Sequence, residues 1–408
     1  MNNCYDWRFL TMNMAIRIGL ILLFATAVST IAWGAVPGDQ NGDKIISQDE
    51  LSNAENLLKE GKITSDQFEE IKHIKENYPR RVIDSLENEV VIYQPVKSMV
   101  VLNSNAVELL RSIQAKDKVV GVSKSTVEDE VFFPEFSKLT SIGSTTAPDV
   151  EKMLELHPDL VVIEATWQKA AGDTLQKSLN ESDPEIAIAR FDCYRLENYN
   201  NETRKIAYLL EKEKEADQFL QFYDDCVNLV VNRTSPLSDN DRPNVYLGYG
   251  EFPPFGAYGK SAGAAVRLEM AGGNNIFADD IVDAQYAEVD PEKIITKNPD
   301  IIQRQVDVGG HAAKDSSDMK LLWEKTMNQT GWSNINAIKN KRVYMMSKEL
   351  QNKRYFLGLL YTAKITLPDL FKDMDPRALH QEYLKRFQDL DIDLDKQGVF
   401  VYPDWNEK

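Results

Sequence analysis

The chain changes hydrophobic rhythm along its length, and each change marks an element. From Glu202 to Asn232 apolar side chains recur at helical spacing: Ile206, Leu209, Leu210, Ala216, Phe219, Leu220, Tyr223, Val227 and Val230. Glu, Lys and Asp fill the remaining face, and neither Gly nor Pro interrupts. The pattern predicts one helix, roughly 45 Å long at the usual rise per residue. That is more than a small domain needs, so residues 201–234 read as a connector holding two blocks at a fixed distance, with a cleft between.

The two flanking blocks share a grammar. In the first (82–200), Val82 to Tyr93 alternates as a hairpin does, and Ser98–Leu102 and Val119–Val122 are short, continuously apolar strands. Asn105–Ile113 and the segment after Asp149 carry helical spacing, and Pro158-Asp159 turns the latter into the strand Leu160–Ile163. In the second block (240–400), Asn244–Gly248 is a strand and Gly263–Met270 a helix closed by Gly272-Gly273. Pro291 opens a helix that Pro299-Asp300 turns into the strand Ile301-Ile302. A late strand at Val343 and helices Leu357–Leu367 and Pro376–Phe387 follow. Alternating strands and helices with two-sided apolar strands predict an α/β fold with parallel sheets.

The termini of the pattern add two features. Arg8 and Arg17 precede an apolar run from Ile18, and Ala32, Gly34 and Ala35 follow it, so residues 1–35 read as a signal peptide or, if uncleaved, an N-terminal anchor. Next, Asp39, Asn41, Asp43, Ser47 and Glu50 fall at the first, third, fifth, ninth and twelfth positions of a loop, with the Ile45 carbonyl at the seventh. This resembles an EF-hand or dockerin-type calcium loop, with Lys44 standing where Gly is usual, and implies calcium as a bound ion. The segment Ile46–Leu51 is echoed at Ile63–Phe68, so residues 36–80 are expected to form a small helical module.

A net charge of −17 argues against nucleic acid and anionic membrane surfaces as partners. Cys193 and Cys226 are the cysteines outside the leader; they are free to pair or to stay thiols, and no zinc spacing is present. The four histidines are scattered, and Gly259-Lys260-Ser261 lacks the earlier Gly of a phosphate loop.

Two segments match across the halves. Pro148-Asp149-Val150-Glu151 before Pro158-Asp159 pairs with Asp290-Pro291-Glu292 before Pro299-Asp300, each with a Glu in a helix's first turn. With Lys118-Val-Val-Gly-Val, Ala271-Gly-Gly-Asn-Asn-Ile-Phe277 and Trp332-Ser-Asn-Ile-Asn-Ala-Ile, these stretches resemble the substrate-binding proteins of ABC importers of the iron-complex/cobalamin type. The resemblance implies two Rossmann-like lobes joined by a single long helix. It implies capture of an iron(III) chelate (siderophore), haem or cobalamin and delivery to an ABC permease dimer, with Glu151 and Glu292 docking on it. The ligand would sit at the strands' C-terminal ends, where Trp167, Tyr249, Glu251, Phe252, Phe255, Tyr258, Arg304, Arg354 and Tyr355 are the candidates. The protein is then exported and extracytoplasmic, and not an enzyme. The alternatives are an enzyme on a chelatase or metal-cluster scaffold, for which cleft Cys and His are lacking, and a calcium-dependent cell-surface interaction protein.

Overall fold

The computed structural model describes residues 35–405, apart from 251, 252 and 353. The expected leader and anchor therefore lie outside the described residues, and none of the described helices is long and apolar enough to cross a membrane.

The first unit is a helix pair, α1 (Gln48–Lys59) and α2 (Ser65–Asn77). The sequence echo has a local cause. Ser47 with Glu50 and Thr64 with Gln67 each close a capping box, in which side chain and backbone satisfy one another's free groups. The pair has a core of Val36, Ile46, Ala54, Ile71 and Ile74, and it is fastened to the following lobe. Lys97 meets Glu70 at 2.9 Å, His73 meets Glu211 at 2.6 Å, and Lys44 meets Glu185 at 2.5 Å.

The hairpin β1 (Arg80–Ile83) and β2 (Glu89–Ile92) leads into the first lobe. Its strands are β3 (Met99–Val101), β4 (Val119–Val122), β5 (Thr140–Ser141), β6 (Leu160–Ile163) and β7 (Ala187–Arg190), and its helices include α3 (Ser104–Ser112), α4 (Val150–Glu155) and α5 (Lys169–Ser182). The order is β5-β4-β3-β6-β7, parallel throughout. Every residue of β6 is buried, as a two-sided parallel strand requires.

The connector departs from expectation. It is two helices, α6 (Leu196–Leu210) and α7 (Glu213–Thr234), broken where Glu211 turns left-handed at φ 58°. Lys212 N–H caps the first helix on the Ala207 carbonyl at 2.8 Å. The buried Arg80 donates to the Tyr208 carbonyl and pairs with Glu213 at 2.6 Å, so the hairpin supplies what the broken helix lacks. The apolar stripe itself lapses here, because Glu213 and Lys214 follow where the face of Leu209 and Leu210 would continue.

The second lobe has β8 (Asn244–Tyr249), β9 (Gly256–Tyr258), α8 (Gly263–Met270), β10 (Tyr286–Glu288), α9 (Pro291–Lys297), β11 (Ile301–Val306), α10 (Ser317–Met327), β12 (Val343–Ser347), α11 (Tyr355–Thr366), α12 (Pro376–Arg386) and β13 (Val401–Tyr402). The order is β10-β9-β8-β11-β12-β13, with Asn274-Asn275 also against β8. Only β8, β11, β12 and that short piece run parallel; β9, β10 and β13 are antiparallel. This sheet is therefore mixed, because β8 folds back directly into β9 without a crossover helix.

One apolar cluster runs through both lobes. It joins Leu109 and Leu110 of α3, Phe219 and Phe222 of α7, Val245 and Leu247 of β8, and Leu357 and Leu360 of α11. Phe219 meets Phe387 at 5.3 Å between ring centres, and Tyr199 stacks on Tyr223 at 4.7 Å. Cys193 and Cys226 are both buried free thiols.

Candidate functional site

A cleft of about 880 Å³ opens between the lobes, walled by the segments that leave the C-terminal ends of the strands. On the first lobe, β3 passes through Leu102 and Asn103 into α3. Asn103 caps that helix, its Oδ1 accepting from Asn105 N–H at 2.9 Å, while its Nδ2 donates to the carbonyls of Phe191 and Asp192. This fixes Ser104 and Asn105 on the wall. After β6 come Glu164 and Trp167, also on the wall. The buried Asp192 pins their loop, accepting from the N–H groups of Ala165 and Thr166 at 3.0 and 2.8 Å and from the Thr166 hydroxyl at 2.8 Å. After β7 come Tyr194, Arg195 and Glu197.

The second lobe contributes aromatics. Tyr249 ends β8, Tyr258 ends β9, Tyr286 begins β10 and Tyr355 begins α11. Tyr249 lies 4.9 Å from Tyr286 and 5.5 Å from Tyr258 between ring centres. The Tyr258 hydroxyl donates to Gln305 Oε1 and the Tyr355 hydroxyl to the Gly263 carbonyl, so both hydroxyls are already engaged. Trp167 and Tyr286 are 50% and 57% exposed, one from each lobe, and so are open to a ligand.

Electrostatically the wall is poor in free charge. Burial, then the neighbouring Asp192 carboxylate, pushes the Glu164 carboxyl up to about 7. Arg195 Nε lies 3.5 Å from Asp192 Oδ2, and its Nη1 3.5 Å from Glu197 Oε1. Burial also raises the Tyr258 and Tyr355 phenols, which therefore stay neutral.

Of the sequence candidates, Trp167, Tyr249, Tyr258 and Tyr355 line this cleft. Glu251 and Phe252 lie outside the described residues. Three candidates stand elsewhere. Phe255 packs on Trp332 at 5.5 Å in the second lobe's core. Arg304 is buried and donates to Thr326 Oγ1 at 2.7 Å and the Gly250 carbonyl at 2.8 Å, bracing the turn after β8. Arg354 is buried behind the cleft, 3.2 Å from Glu108 and 3.5 Å from Glu349, with its guanidinium 3.4 Å from the Phe132 ring centre. An Arg after a strand served as the sequence signal, and it does not separate a cleft cation from an interior clamp. Glu164, Arg195, Glu197, Tyr286 and Gln305 escaped sequence reading. Glu164 directly follows the β6 run and was legible there, whereas Arg195 and Glu197 follow β7, a strand that went unrecognised.

The calcium expectation finds no support. Asp39 accepts from the N–H groups of Gly42 and Lys44, Asn41 Oδ1 from Asp43 N–H, and Asp43 from Ile45 N–H, each at 2.8 Å. Glu50 accepts from Gln40 and Ser47 N–H at 2.8 and 2.9 Å. The oxygens thus serve the loop's own backbone and the helix cap. Among the described residues no group of three or more His, Cys, Asp or Glu is arranged to hold a metal ion. Glu151 and Glu292 are exposed in the first turns of α4 and α9, with Asp149 and Asp290 as N-caps.

Comparison with known proteins places this geometry. A family model described as periplasmic binding protein matches residues 99–350. An uncharacterised ABC transporter substrate-binding lipoprotein of Bacillus subtilis, YvrC, is 25% identical over 305 residues, 74% of this chain and 90% of that protein. The molybdate-binding protein MolA of Haemophilus influenzae is 23% identical, over 76% of this chain and 90% of its own. The crystal structure of a TroA-like periplasmic binding protein FepB from Veillonella parvula superposes with a TM-score of 0.68 at 23% identity, covering 79% of this chain and 99% of that one.

Proposed function

The chain belongs to the periplasmic binding protein family, as a substrate-binding protein of the ABC-transporter kind, and from that premise we propose that its cleft captures an iron(III) chelate, haem or cobalamin outside the cytoplasm for delivery to an ABC permease. It is a binding protein and not an enzyme, as its relatives are. The observation that carries the choice of ligand is the cleft itself: its volume of about 880 Å³ suits a bulky chelate, and rings from both lobes are available to flank it.

Delivery would use Glu151 and Glu292. Each is an exposed carboxylate at the start of a helix, one per lobe. Two carboxylates held apart by a rigid frame suit paired arginine pockets, which fork onto carboxylates and set register. Substituting both, Glu151→Ala with Glu292→Ala, is expected to abolish stimulation of the permease ATPase in reconstituted vesicles while leaving ligand affinity intact. Lost ligand binding in that variant would sink the docking role. The capture step is tested by tryptophan fluorescence titration with a ferric siderophore, haemin and cobalamin in parallel, with saturable quenching by one of them expected.

A further inference from the structure

Resting on that reading, we propose that the transported ligand is a metal chelate of zero or positive net charge, recognised by aromatic faces and neutral hydrogen-bonding groups. Among the described residues, two cations, Lys124 and Arg195, line the cleft against three carboxylates, Glu128, Glu164 and Glu197. Both cations are already engaged. Lys124 Nζ lies 3.4 Å from Glu128, and Arg195 is shared between Asp192 and Glu197. An enclosed polyanion needs unspent cations, above all guanidinium forks, to offset the loss of its hydration. Here it would meet carboxylates instead, two of them at the exposed rim, and like charges brought to close range cost binding energy.

The rest of the wall agrees. Asn105, Gln285 and Gln305 offer amides, and Ser104, Ser125 and Thr145 offer hydroxyls, all without charge. Trp167 lines the same cleft as the tyrosines of the opposite lobe, and aromatic faces attract cations and pack on planar or apolar chelate shells. The Glu164 carboxyl, held up to about 7, supplies a neutral O–H donor below that pH and a carboxylate above it, and carries no positive charge in either form. The volume also exceeds what a bare tetrahedral oxyanion fills.

The test is calorimetric titration of the purified full chain with five probes at neutral pH. They are a cationic ferric tris-hydroxamate, cyanocobalamin, ferric citrate, haemin and sodium molybdate. We expect the hydroxamate or the cobalamin to bind at least about a hundredfold more tightly than any of the three anions. Tighter binding of ferric citrate, haemin or molybdate would overturn the charge assignment and leave the transport reading standing. Saturable binding of none would overturn the transport reading, and the assignment with it. Glu128→Gln with Glu197→Gln removes two cleft carboxylates, releases Lys124 and leaves Arg195 with Asp192 alone, so it should raise ferric citrate affinity about tenfold. No gain in that variant would refute the electrostatic explanation.

Discussion

Arg354 reaches Glu108 in the first lobe and Glu349 in the second, and both of its partners are engaged further. Glu108 accepts from the Tyr383 hydroxyl at 2.6 Å, and Glu349 lies 2.5 Å from His311 Nδ1. Removing one member of a buried charged set strands the others without solvent. Arg354→Met should therefore destabilise the protein by about 3 kcal/mol in urea unfolding, although the side chain plays no part in lining the main cleft. Glu164 makes the opposite kind of prediction. Its folded value, about 7, lies above the ordinary 4.5, so the folded state holds a proton that the unfolded chain has already released. Stability is then lost as pH rises from about 4.5 to about 7, and is level beyond. Melting temperatures of the wild type and Glu164→Gln across that window should diverge, the variant falling less; parallel curves would refute the assignment.

At the scale of elements, the helix pair before the first lobe owes its form to two capping boxes. In the first of them Glu50 is held down to about 2, chiefly by the N–H groups of Gln40 and Ser47. Because that value lies below the ordinary 4.5, the contribution is present above about 4.5 and is lost as pH falls toward 2. The protection of α1 amides against hydrogen exchange, referred to the intrinsic rate at each pH, should fall across that acid window in the wild type, and Glu50→Ala should show the lower protection already at neutral pH. The same pair shows what sequence pattern can and cannot separate. A Ser followed three positions later by Glu satisfies both a helix cap and the last positions of a calcium loop, and only the direction of each oxygen distinguishes them. The break between α6 and α7 is a related case. The apolar stripe lapses after Leu210, but with neither Gly nor Pro there the spacing on both sides still reads as one helix, and the group that caps the break is Arg80, remote in sequence.

At the scale of the molecule, the lobes are not independent. A single apolar cluster passes from α3 through α7 to β8 and α11, and Arg354 bridges the same junction. Opening the cleft widely would expose that cluster, so only a small lobe movement on binding is expected. Calorimetry should show one unfolding transition for both lobes, with the calorimetric and van't Hoff enthalpies equal over that transition. Two resolved transitions would contradict the shared core.

What the sequence alone determined is what acts over a few residues. Strand runs such as Val119–Val122 and Leu160–Ile163, the helix Gly263–Met270, the paired Glu-bearing first turns of α4 and α9 and the two-lobed α/β plan are all written in local spacing and turn chemistry. The cleft was legible only in part. Trp167, Tyr249, Tyr258 and Tyr355 follow recognisable strands or open a helix, so their approximate place was readable. The tertiary structure alone decided that Arg304 and Arg354 turn inward as clamps while Arg195 faces the cleft, and that every cleft cation among the described residues is matched by a carboxylate. The reason is physical: periodicity reports which side of its own element a residue occupies. The charge of a cavity depends instead on which remote side chains converge there, and burial and neighbouring charge then set how each of them ionises.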